Sequence, residues 1–152
     1  MNRRAGFPFS FSWKGNSVRK LSVLAFAAAV VGTVALAVPA QATSYNGKCE
    51  SSGGGEICLY KDANFTGGLY DTLYSKPSYT GTYYGTNTSI NNSVTSVINK
   101  DPSHTAFLFD GANYTGESTT IGNGGSYADL GYGGIMNNRA SSHCFINNVN
   151  CP

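Results

Sequence analysis

An all-β domain built from two similar halves is the fold class this sequence predicts, on three observations. Gly, Ser, Thr, Asn and Tyr dominate from Thr43 onward, and β-favouring clusters recur between Gly- and Asn-rich turns without long helical periodicity. A corner pattern of aromatic, four residues, aromatic, one residue, glycine occurs at Tyr60, Phe65 and Gly67 and again at Phe109, Tyr114 and Gly116. A polar hexamer, NNSVTS at Asn91 to Ser96, returns as NNRASS at Asn137 to Ser142.

The start of the chain stands apart from that fold. Arg3, Arg4, Lys14, Arg19 and Lys20 form a positive region, Leu21 to Val38 is an apolar run, and Ala40, Gln41 and Ala42 give a small-residue cleavage signal. Residues 1–42 therefore read as a secretory signal peptide rather than a retained anchor, leaving residues 43–152 as one domain. The remaining Lys48, Lys61, Lys76, Lys100 and Arg139 face eight acidic side chains, a balance of −3. No basic stripe survives to release counterions from nucleic acid, and no membrane segment remains after cleavage. The expected product is secreted, extracellular and monomeric.

Cys49, Cys58, Cys144 and Cys151 all fall in the exported part, where an oxidising compartment predicts two disulfides. Four cysteines allow three pairings; the short separations favour Cys49 with Cys58 and Cys144 with Cys151. Neither spacing is a CxxC, which argues against zinc.

Strands are predicted at Ile57 to Tyr60, Gly68 to Leu73, Val94 to Asn99, Ala106 to Asp110, Glu117 to Ile121 and Ala140 to Ile146. Thr82 to Tyr84 is expected as a short strand before the first hexamer, with Tyr127 to Leu130 as its counterpart. At each corner the first aromatic ends a strand, the second folds over the turn, and the glycine supplies a backbone angle that other residues resist. Each hexamer follows its corner at similar distance, 31 residues from Tyr60 to Asn91 and 28 from Phe109 to Asn137.

Asn and Ser/Thr side chains are neutral oxygen donors, so the paired hexamers point to a hard cation such as Ca2+. Neither hexamer contains a carboxylate, which limits the expected affinity to roughly 10⁻⁵ to 10⁻³ M. Catalysis is not indicated. His104 and His143 are the only histidines, neither lies in an HExxH or beside a GxSxG, and His143 reads as a surface neighbour of a disulfide. Gly53 to Gly55 lacks the Lys-Ser/Thr of a phosphate loop and reads as a flexible link. Sequons at Asn64, Asn87, Asn91 and Asn113 reflect an Asn/Ser/Thr-rich composition, two of them falling inside the corners.

The corners and hexamers together resemble the βγ-crystallin superfamily, whose domains pair two Greek key motifs and whose microbial members carry an Asn/Asp, Asn/Asp, x, x, Ser/Thr, Ser calcium signature. The resemblance implies motif one over about residues 57–99 and motif two over about 106–146. It also implies ligands: the hydroxyls of Thr95 and Ser141, the carbonyls of Ser93 and Arg139, and the side-chain oxygens of Asn91 and Asn137. Asn92, Asn138, Ser96 and Ser142 would brace the loops by hydrogen bonds to backbone. Arg139 places a cation beside the second loop.

The words ICLYKDANFTG, AFLFDGANYTG and ADLGYGGIMNNRASS are also similar to the family of the Streptomyces metalloproteinase inhibitor, peptidase inhibitor family thirty-six. That similarity implies an extracellular protease as partner, met by a rigid exposed segment, either Lys76 to Tyr84 or the Cys144 to Cys151 loop. The expected function is a secreted non-catalytic βγ-crystallin-like protein that binds Ca2+ weakly, with peptidase-inhibitor activity. The alternatives are an inhibitor in which Ca2+ plays no role and a secreted toxin or cell-wall-binding protein.

Overall fold

Seven strands among the described residues form two antiparallel sheets, and each half of the chain contributes to both. A computed structural model describes residues 41–132, 136–146 and 151, all within the unit Ala37–Pro152. Most of the expected signal peptide, residues 1–40, lies outside the described residues. In chain order the strands are β1 (Ile57–Asp62), β2 (Thr66–Thr72), β3 (Ser96–Asn99), β4 (Ala106–Phe109), β5 (Ser118–Ile121), β6 (Ser126–Tyr127) and β7 (Ser142–Phe145). One sheet has the order β2-β1-β3-β6 and the other β5-β4-β7.

The third element of each half crosses to the other half's sheet. In the second half this element is β6, which pairs Tyr127 with Val97 of β3. Its counterpart in the first half is a single bridge between Lys76 and His143 of β7, closed by Lys76 N–H to His143 O at 2.8 Å and His143 N–H to Lys76 O at 3.0 Å. The exchange makes the two Greek keys one folding unit. The first-half element thus differs from the expected strand at Thr82 to Tyr84, where Thr82 bridges only to Ser89. Tyr83 is fully buried instead, its hydroxyl donating to Ser93 O at 2.9 Å.

The corners take the predicted form. Ring centroids lie 5.9 Å apart for Tyr60 and Phe65 and 6.0 Å for Phe109 and Tyr114. Gly67 and Gly116 sit at φ +75° and +84°, the left-handed region in which a Cβ costs energy. A Cβ there would also overlap the carboxylate of Asp62 or of Asp110.

Between the sheets lies a core that includes Ile57, Leu59, Val97, Leu108, Ile121 and Phe145. Each such side chain contributes on the order of 1.5 to 3 kcal/mol by leaving water. Cys49–Cys58 and Cys144–Cys151 are disulfide-bonded, with Cα atoms 5.7 and 5.6 Å apart, so the short-range pairing holds and no cysteine is free. His143 is not at the surface as the sequence suggested. It is fully buried, with Nδ1 2.9 Å from the Tyr79 hydroxyl and Nε2 3.0 Å from Tyr74 O. The carbonyl can only accept, so Nε2 carries the proton and Nδ1 accepts from Tyr79. Burial then pushes the His143 pKa down to about 3, a shift that the Tyr74 hydrogen bond opposes and the Lys76 charge reinforces.

Candidate functional site

The two hexamer loops lie against each other and exchange equivalent hydrogen bonds. Asn92 N–H donates to Ala140 O at 3.0 Å, and Asn138 N–H donates to Val94 O at 2.9 Å. The fifth-position hydroxyls also reach across, Ser141 Oγ to Asn92 Oδ1 at 3.0 Å and Thr95 Oγ1 to Asn138 Oδ1 at 3.4 Å. Asn92 and Asn138 stand at φ +55° and +56°, a conformation Asn tolerates better than most L-residues. Their side chains thus brace the opposite loop through its hydroxyl, where backbone partners were expected.

The sixth-position serines tie each loop to its own corner. Ser96 Oγ donates to Asp62 O at 2.6 Å and accepts from Phe65 N–H at 3.0 Å. Ser142 Oγ likewise donates to Gly111 O at 2.6 Å and accepts from Tyr114 N–H at 3.2 Å. The repeated corner and the repeated hexamer are therefore one physical unit per half. Sequence spacing showed only that each hexamer follows its corner at a similar distance; the serine bridge is what joins them.

The remaining site residues spread around this contact. Asn91 is exposed, its N–H donating to Ser89 Oγ at 3.2 Å. Ser93 Oγ donates to Ser89 O at 2.5 Å, while Ser93 O accepts from Tyr83. Burial pushes the Tyr83 phenol up to about 12, so it remains a donor. Asn137 is exposed beside Gly131, where an added Cβ would lie 3.2 Å from its Nδ2 and 3.0 Å from Asp129 Oδ1. Arg139 O accepts weakly from Ser141 Oγ at 3.4 Å, and the Arg139 guanidinium pairs with Asp110 and, at 3.0 Å, with Glu117. Two carboxylates thus partly offset the cation that the sequence placed beside the second loop.

Chemically the loops offer hydroxyl, amide and carbonyl oxygens, a neutral hard-donor set that fits a hard cation better than a soft one. Every carbonyl used above keeps a second lone pair. Among the described residues no three His, Cys, Asp or Glu side chains are grouped as a metal centre. The donor set fits a weakly held ion.

A second feature is the connection from β2 to β3, whose Lys76 to Tyr84 part exposes some side chains, buries others and is fixed at several points. Beyond the Lys76 bridge, Pro77 O accepts from Asn113 N–H at 2.6 Å, Tyr79 N–H donates to Ser141 O at 2.9 Å, and Tyr84 N–H donates to Leu69 O at 2.7 Å. Tyr79 and Tyr83 are buried anchors, while Pro77, Ser78 and Thr80 face solvent. Most of the other candidate segment, residues 147–150 between Cys144 and Cys151, lies outside the described residues.

Similarity to known structures agrees with this architecture. The chain matches a structure from work on the evolution of the eye lens βγ-crystallin domain fold, with a TM-score of 0.51, 20% identity and coverage of 71% of this chain and 91% of that one. It also matches a βγ-crystallin from an archaeon at 27% identity, with a TM-score of 0.48 over 60% of this chain and 96% of that one. A βγ-crystallin from Ciona intestinalis likewise matches at 27% identity, with a TM-score of 0.49 over 60% and 99%. No curated protein matches. The model of peptidase inhibitor family I36 matches residues 42–121, more than half of the chain. On that match, joined to the exchanged Greek keys and their two corners, the chain belongs to peptidase inhibitor family I36 and has a βγ-crystallin-like fold.

Proposed function

We propose that the protein is a secreted, non-catalytic inhibitor of extracellular metallopeptidases whose paired polar loops bind Ca2+ weakly. The observation that carries the inhibitor reading is the family match over residues 42–121, which contains the whole Lys76 to Tyr84 segment. An inhibitor must enter a protease cleft without being cut quickly or paying a large ordering cost. Backbone bonds from Lys76, Pro77, Tyr79 and Tyr84 to four other parts of the domain meet that demand, with Ser78 and Thr80 left to contact the enzyme. His143 is fully buried with both ring nitrogens bonded, to Tyr79 and Tyr74, out of reach of a substrate, which favours a non-catalytic role.

Binding by Ca2+ would use Thr95 and Ser141 through their hydroxyls, Ser93 and Arg139 through their carbonyls, and Asn91 and Asn137 through their side-chain oxygens. The ion would supply a cross-link between the loops. Ligation would add to the hydrogen bonds that already join them, so its effect is on stability. At ten times the Kd the gain is about 1.4 kcal/mol.

Inhibition of a thermolysin-like metallopeptidase, measured against protein concentration, tests the first part. Ser78→Arg and Thr80→Arg, both at exposed positions, should weaken inhibition at least about tenfold without changing thermal stability. Inhibition unchanged in both variants would remove the segment from the mechanism. Isothermal titration tests the second part. Heat and a thermal shift are expected at millimolar Ca2+ and should vanish in the Thr95→Ala/Ser141→Ala protein; no signal in the parent protein would leave an inhibitor in which Ca2+ plays no role.

A further inference from the structure

We propose that a groove on the first hairpin corner binds an uncharged pyranose oligosaccharide, a site that goes beyond the inhibitor reading and does not depend on it. The groove is open to solvent and spans about 560 Å3 between Asn64 on the corner and Ser126, Tyr127, Asp129 and Tyr132 on the β6 segment. That size lies within the range of small-ligand pockets. Its walls are joined by Asn64 N–H donating to Ala128 O at 2.7 Å.

The internal repeat supplies a control for what the fold itself needs there. Asn113 N–H to Pro77 O repeats the Asn64 to Ala128 bond, Tyr79 N–H to Ser141 O repeats Leu130 N–H to Thr95 O, and the Lys76–His143 bridge repeats the Tyr127–Val97 pair. Tyr127, Asp129 and Tyr132 therefore occupy the places of Lys76, Ser78 and Gly81. The backbone is kept in both halves, while both rings and the carboxylate are present in only one. Buried Leu130 and Tyr79, at the equivalent anchoring position, show the opposite behaviour: both are large and apolar.

Folding thus gives no reason for Tyr132, 91% exposed, or for the 40% exposed Tyr127. Exposed tyrosines beside unpaired polar groups match the chemistry of a sugar ring, whose C–H faces lie on aromatic rings and whose hydroxyls need donors and acceptors. Asp129 Oδ1 accepts from Gly131 N–H at 2.7 Å, which fixes the carboxylate. Its second oxygen and the Asn64 side-chain amide have no protein partner among the described residues, leaving an acceptor and an amide for neighbouring hydroxyls. The carboxylate disfavours an anionic sugar.

Cellohexaose and chitohexaose, titrated separately into the isotope-labelled protein and followed by NMR, test the site. At least one is expected to shift the resonances of Asn64, Tyr127 and Asp129 with a millimolar Kd. Tyr132→Ala should weaken that binding about tenfold, as should Asp129→Ala, whereas Ser78→Ala at the repeated backbone position should leave it unchanged. Tyr132 is almost wholly exposed, so its truncation leaves the fold intact. Absence of shifts with both sugars, or binding by Tyr132→Ala equal to that of the parent protein, would overturn the proposal. Peptidase inhibition is read in a separate assay, so failure of either reading leaves the other standing.

Discussion

Replacing Glu56 with Gln should stabilise the protein at neutral pH and expose an acid sensitivity that the parent conceals. Glu56 is fully buried, with Oε2 accepting from Glu50 N–H at 3.0 Å and Oε1 unpartnered among the described residues. Burial raises its pKa from 4.5 to about 7; the Glu50 backbone hydrogen bond opposes this, and the charges of Asp71 and Glu50 add to it. A carboxyl with a raised folded pKa supplies stability that is complete below 4.5 and lost as pH rises through about 7. That loss amounts to about 3 kcal/mol at 1.36 kcal/mol per unit. His143 acts in the opposite sense. Its folded pKa is depressed from 6.5 to about 3, so the stability it supplies is present above 6.5 and lost as pH falls.

Between 4.5 and 6.5 the two slopes oppose each other, each near 1.4 kcal/mol per pH unit. Urea denaturation across that window, parent against Glu56→Gln, isolates the carboxyl. The variant should lose about 2.7 kcal/mol on acidification from 6.5 to 4.5, relative to the parent. Above pH 7 it should be the more stable protein by about 2 to 3 kcal/mol, equivalent to roughly 10 °C in Tm. Parallel profiles, or a variant less stable above pH 7, would refute the burial argument.

Other substitutions test the joints of the fold. Ser96→Ala and Ser142→Ala each strand a corner N–H and a corner carbonyl, and each should lower stability by about 2 to 3 kcal/mol in denaturant unfolding, with little loss in Ser93→Ala. A smaller loss at Ser96 or Ser142 than at Ser93 would sever the link between hexamer and corner. Gly55→Ala should cost more than about 2 kcal/mol, because φ is +78° and the new Cβ would overlap Lys100 O, whereas Gly122→Ala meets nothing within 4 Å and carries no left-handed φ. Thermal melting of the two alanine variants compares them directly, and equal melting temperatures would contradict the packing.

What the sequence revealed was mostly local or repeated. Gly67 and Gly116 carry their conformations in their identity, and Cys49–Cys58 and Cys144–Cys151 pair across short loops. The hexamers were visible as words, although their reciprocal bonds join residues such as Asn92 and Ser141, far apart in the chain. Less visible was anything decided by cross-half contact. Val94 O accepts from Asn138 and Thr95 O from Leu130, so the expected strand at Val94 begins only at Ser96. Lys76 makes a one-residue bridge and leaves no alternating pattern to find. His143 was a polar side chain beside Cys144 in the sequence, yet the segment crossing at Lys76 covers it through Tyr74 and Tyr79. Buried Glu56 gave no signal, because its cover comes from loops closed by the first disulfide.

Titration of a thermolysin-like metallopeptidase with the protein, reading residual activity at fixed enzyme concentration, tests most directly whether this βγ-crystallin-like domain acts as an inhibitor. The account predicts a dose-dependent loss that saturates near one protein per enzyme and weakens in Ser78→Arg. Full residual activity at micromolar protein, repeated across several such metallopeptidases, would contradict it.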